Sequence, residues 1–204
     1  MDSDILYLYL KKSKRKRGEI MCAPLEKIRG KTPDEILKLI NYRGDGPVEL
    51  KSVLEYFNIS ASPLDFSEIE SIPEIANRVS KFGKILGMIF SKGDHAGIFY
   101  CESSSANRQR FTIAHELAHC AMADDAIANF IDFRHTMQPD SDNEIAANTF
   151  AGKLLVSDSA LKELLSEVEN PPVNLLSKIF AVSENVMHER LKILENEYAW
   201  KGFT

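Results

Sequence analysis

Three cysteines in 204 residues, an odd number, cannot build a disulfide framework. Cys22, Cys101 and Cys120 therefore point to a reducing compartment, and the cytoplasm is the expected location. No apolar run reaches the roughly 20 residues that a membrane-spanning helix needs, so no membrane partner is expected. The short apolar stretch from Ile5 to Leu10 precedes a basic cluster at residues 11–17. A secretory signal has the opposite order and a longer apolar core. Positive charge is also short. There are 25 Lys and Arg against 30 Asp and Glu, a net charge of −5, which argues against broad nucleic-acid affinity. With 44% hydrophobic and 27% charged residues, the chain can fill one globular domain, with room for a small appendage. The basic cluster is its one charge block and reads as a solvated tail.

The stretch from Phe111 to Cys120 organises the chain. It carries His115-Glu116-Leu117-Ala118-His119 inside an apolar run free of Gly and Pro. Residues four apart lie one above the other on a helix, so His115 and His119 offer two imidazoles to one metal ion. Glu116 lies about 100° round the helix, beside the ion's open position, where it can take a proton from water. A hydrolytic zinc site needs a third protein ligand and a free position. Three carboxylates compete for that place. Asp125 has the spacing of a compact site, but such a site wants Gly at the position held by Met122, and Asp124 has no such precedent. Glu144 opens a later helix over residues 142–155 and is the favoured third ligand. Asn148, one turn on, can hydrogen-bond the free nitrogen of a ligating His. Zn2+ is the expected ion, with Mn2+ or another divalent ion left open.

Elsewhere Thr32-Pro33-Asp34-Glu35 predicts a helix start with a capping box, ended at Gly44-Asp45-Gly46. Pro47 opens a second helix. Ile59 to Phe66 suggests a short strand interrupted by Pro63, and residues 58–84 otherwise show no clear pattern. Ile85–Phe90 and Gly97–Cys101 predict a hairpin, turning at Lys92–His95. An exposed edge there can hold an extended peptide by strand addition. His95 is expected in solvent. Tyr100 and His135 are candidates to stabilise an oxyanion.

Residues 174–180 and 185–194, joined by Ala181-Val182-Ser183, have the pattern of a helix-turn-helix. Charge argues against DNA reading. From Pro171 onward Lys178, Arg190, Lys192 and Lys201 are matched by Glu184, Glu189, Glu195 and Glu197. A neutral pair of helices gains little from phosphates, so a packing role is expected. His188 reads as a surface residue.

Arg110 to His119, followed by Glu144-x-x-x-Asn148-x-Phe150-Ala151-x-x-Leu154-Leu155, resembles the ImmA/IrrE metallopeptidases. The resemblance covers about residues 32–195. It implies an α+β, gluzincin-like fold of helices around a small antiparallel sheet, with the helix-turn-helix-like pair at the C-terminus. It implies His115, His119 and Glu144 as metal ligands and Glu116 as general base. It also implies a protein substrate, a DNA-binding helix-turn-helix repressor whose cleavage releases mobile-element or stress genes. Ala146 stands where many relatives have a second Glu that is no ligand. The expected division is an N-terminal extension at 1–31, a peptidase domain at 32–170 and the helical pair at 171–204. A rival reading is a non-cleaving module that keeps the metal and sequesters a regulator. Intact Glu116 speaks against it, because a structural site needs no base.

Overall fold

A computed structural model describes residues 23–92, 95–122 and 142–198. The basic cluster at 11–17, Asp124, Asp125 and His135 lie outside the described residues. The fold is α+β. Two short helices, α1 (Ala23–Ile28) and α2 (Pro33–Leu39), come first. The capping box forms as expected: Thr32 Oγ1 accepts from Glu35 N–H at 3.3 Å, and Glu35 Oε2 accepts from Thr32 N–H at 2.8 Å. The helix stops earlier than Gly44, because Asn41 takes a left-handed conformation, φ 55°, just after the cap residue Ile40. Helix α3 (Leu50–Phe57) starts three residues after Pro47 and ends at Asn58, again left-handed.

Strand β1 (Ile59–Leu64) runs straight through Pro63. Proline is tolerated there because β1 lies at the edge of the sheet, where one row of backbone donors is not needed for pairing. Two helices that had no clear sequence pattern follow, α4 (Ser67–Glu70) and α5 (Pro73–Phe82). The hairpin is β2 (Gly87–Lys92) and β3 (His95–Cys101), in the register Gly87↔Tyr100 to Lys92↔His95. The three strands have the order β1-β3-β2. An antiparallel sheet was expected, and the β2–β3 pair is antiparallel. The β1–β3 pair is parallel, so the sheet is mixed. The intervening helices α4 and α5 supply the crossover that parallel strands require.

The strands alternate between two cores. Ile89, Ala96 and Ile98 point into the main one. Met88 and Phe99 join Phe66, Ile69 and Ile85 in a smaller cluster, where the rings of Phe90 and Phe99 stack at 5.1 Å. Against the main-core face lies α6 (Ala106–Met122), packed along α7 (Asp142–Leu155). Both helices bury small side chains: Ala114, Ala118 and Ala121 on one, Ala147, Ala151 and Gly152 on the other. Small residues let two helix backbones approach closely, and that closeness sets the depth of the metal site described below.

Helix α8 (Asp158–Glu167), capped by Ser157 Oγ accepting from Ala160 N–H at 3.2 Å, had no counterpart in the sequence reading. The C-terminal pair is α9 (Val173–Ile179) and α10 (Glu184–Tyr198). Ser183 caps α10 through the Val186 N–H at 3.3 Å. Leu176, Phe180, Val182, Met187, Leu191 and Leu194 are buried in the main core, so this pair packs on the rest of the chain. Arg110 of α6 clamps it by donating from Nε to Ala181 O and from Nη2 to Val48 O, at 3.1 and 3.0 Å. Burial without a carboxylate lowers the pKa of Arg110. Arg190, one of the four cations of this segment, is buried and bonded to Asp158 and Val156 O. No helix among the described residues is long and apolar enough to cross a membrane.

Candidate metal centre

His115 and His119 stand one turn apart on α6, and Glu144 lies in the first turn of α7. The packing of the two helices brings all three together. His115 Nε2 and His119 Nε2 are 2.8 Å apart, and each is 3.3 Å from a different oxygen of Glu144. A four-coordinate ion with bonds of about 2.0–2.1 Å places its ligand atoms roughly 3.3 Å from one another. The spacing of the carboxylate from both imidazoles fits that geometry. The three side chains form a buried group that can hold a metal ion.

Burial is uneven. His115 and Glu144 are 1% and 3% exposed, whereas the His119 side chain keeps 11%. His119 is thus the most exposed of the three. An ordinary acid at a helix N-terminus would be solvated and held there by the helix dipole. Glu144 is instead enclosed between two imidazoles, where a bound cation offsets the cost of burying its charge.

Asn148 sits one turn beyond Glu144, and its Oδ1 lies 2.8 Å from His115 Nδ1. An amide oxygen only accepts, so the imidazole must donate from Nδ1. That fixes the tautomer with its lone pair on Nε2, the atom aimed at the shared point. The Phe111 ring, one turn before His115, lies 6.2 Å from the imidazole.

Glu116 is 1% exposed and faces the start of β2, where its side chain borders the space that a Cβ on Gly87 would occupy. Tyr100 is half-buried and stands opposite Gly87 in the β2–β3 ladder. His95, at the far end of that ladder, and His188, on α10, are exposed. Gly87, Thr112 and the anchoring role of Arg110 were not picked out from the sequence. A glycine inside a strand was the available signal for the first of these, since it often marks a close approach of another chain segment.

The model of peptidase family M78, the IrrE N-terminal-like domain, matches residues 79–192, more than half of the chain. The chain belongs to that family. The matched span takes in α6, α7 and most of the C-terminal pair, and it gives the protein a metallopeptidase-like role. No curated protein matches the chain.

Proposed function

We propose that the protein is a zinc-dependent endopeptidase that cuts a regulatory protein, a DNA-binding repressor of the helix-turn-helix type. The observation that carries the reading is the convergence of His115, His119 and Glu144 with Glu116 buried beside them on the same helix. His115, His119 and Glu144 would hold the ion, and Asn148 would keep His115 in the tautomer that binds it. Zinc, when bound, supplies a Lewis acid that polarises water and the substrate carbonyl. Glu116 takes the proton from the attacking water and returns it to the departing amine. Tyr100 and His135 are the candidates to donate a hydrogen bond to the oxyanion.

Strand β2 supports a peptide substrate. It lies at one edge of the sheet, and its first residue abuts Glu116. An extended segment added to that edge would run past the base with its backbone held by main-chain hydrogen bonds. Only an unfolded linker can adopt that shape, so the expected cut lies between the folded parts of the repressor. The net charge of −5 suits a partner with a basic DNA-binding surface. The protein is expected to act in the cytoplasm and to change transcription by removing that repressor.

The test is incubation with the repressor encoded beside its gene and, separately, with denatured casein, followed by mapping of the products. One or a few cuts in the repressor are expected. Rapid digestion of casein with the repressor left whole would overturn the substrate reading.

A further inference from the structure

Gly87 is the first residue of β2 and lies against α6 at the place where Thr112 and Glu116 share a face. Its φ is not in the left-handed range; among the described residues the glycines that are there are Gly30, Gly44 and Gly83. Any residue could therefore adopt its backbone, and what excludes a side chain is space. A Cβ built on Gly87 would stand 2.4 Å from Thr112 Cγ2, 2.8 Å from Glu116 Oε1 and 3.3 Å from Glu116 Cγ. Glycine weakens a strand, so its use here needs a compensating reason.

We propose that Gly87 is a positioning residue for the reaction: bare backbone at the head of β2 sets where the Glu116 carboxylate rests. This rests on the reading of Glu116 as general base. Glu116 has three rotatable side-chain bonds, and a flexible base loses efficiency when its proton-accepting oxygen wanders. The space that a side chain on residue 87 would fill is bordered by Glu116 Cγ and Oε1, so the bare backbone leaves the carboxylate the room in which it rests. The same strand is the edge to which a peptide would add. One backbone thus fixes the base and the substrate in a common frame.

A purely structural account is that Gly87 only makes room for Thr112. The two accounts separate in a set of four variants: Gly87→Ala, Thr112→Ser, Gly87→Ala with Thr112→Ser, and Glu116→Gln. Thr112→Ser deletes the methyl that the new Cβ would strike hardest, while the collision with Glu116 Oε1 stays. Rates are compared per folded, metal-loaded molecule, with a quenched fluorescent peptide spanning the mapped cut in the repressor. In Gly87→Ala, kcat should fall on the order of 100-fold, as misplacement of a catalytic group does, with KM little changed. The double variant should recover thermal stability and not kcat.

A readout free of substrate is the visible absorption of the cobalt-loaded protein, which reports the groups around the metal's open position. Gly87→Ala and the double variant should shift those bands, as should Glu116→Gln, at unchanged metal content. Parent-like kcat in Gly87→Ala, recovery of kcat together with stability in the double variant, or an unshifted cobalt spectrum would overturn the proposal. Glu116→Gln as active as the parent would instead overturn the general-base reading beneath it.

Discussion

Replacing Asn148 by alanine removes the oxygen that holds His115, and the size of the effect can be worked out from the site. His115 is 1% exposed. Asn148, whose Oδ1 lies 2.8 Å from Nδ1, is exposed, so in Asn148→Ala water can reach Nδ1. Leaving a buried donor without its acceptor costs about 1–3 kcal/mol, and that water moves the cost toward the lower end of the range. The imidazole escapes part of that cost by moving its proton from Nδ1 to Nε2, which blocks the atom aimed at the metal. Either way the loss falls on the ion. Removing such a partner of a ligating His typically weakens metal affinity about 10–100-fold, which is about 1.4–2.8 kcal/mol, and its lower end agrees with the hydrogen-bond figure. The assay is competition for zinc against a fluorescent chelator. Asn148→Asp keeps an acceptor of the same length and should bind at least as tightly as the parent, with Asn148→Ala weaker. Equal affinity in the parent and Asn148→Ala, with both metal-free proteins melting at the same temperature, would refute the reasoning.

Further outcomes follow from the same geometry. Glu144→Ala should purify without metal, whereas Asp125→Ala should keep about one ion per chain; metal analysis of the two proteins decides between these carboxylates. Arg110→Ala should cost about 2–3 kcal/mol in urea unfolding, because it strips charged donors from Ala181 O and Val48 O. Arg110→Lys should recover little of that, since a single ammonium cannot replace a fork that reaches two carbonyls. Burial raises the thiol pKa of Cys101, but hydrogen bonds with Ser103 and Ser104 outweigh it and the net shift is downward. Cys101 is also partly exposed, and Cys120 is buried. Iodoacetamide should therefore label Cys101 well before Cys120 in the native protein, as read by peptide mapping.

The centre was legible because it rests on local spacing. Two histidines at i and i+4 share a helical face in any α-helix, and Glu144 with Asn148 repeats the same rule on the next one. What joins the two helices is tertiary, yet the run of small residues on both made a close approach natural. The hairpin was legible from its alternating apolar residues, with three of its four strand ends off by two positions. The parallel partner β1 was not, because nothing in Ile59–Leu64 encodes its pairing with Ala96–Cys101, far along the chain. Helices α4, α5 and α8 were missed for another reason. They are short: α4 and α5 pack their apolar residues with strand residues in the smaller cluster, and α8 rests on its Ser157 cap and on Ala160 and Leu161 in the main core. Gly87 shows the limit most clearly. Its sequence context says only that a strand contains a glycine, and its meaning appears once Glu116 is found against it.

The most direct test of the account is repressor cleavage by the parent and by Glu116→Gln, each first shown to carry its metal. Glutamine keeps the shape of the side chain and cannot accept a proton at neutral pH. Glu116→Gln should fold, hold about one ion per chain and cleave on the order of 10²–10⁴ times more slowly. Equal cleavage by the two proteins, with contaminating protease excluded, would contradict the account.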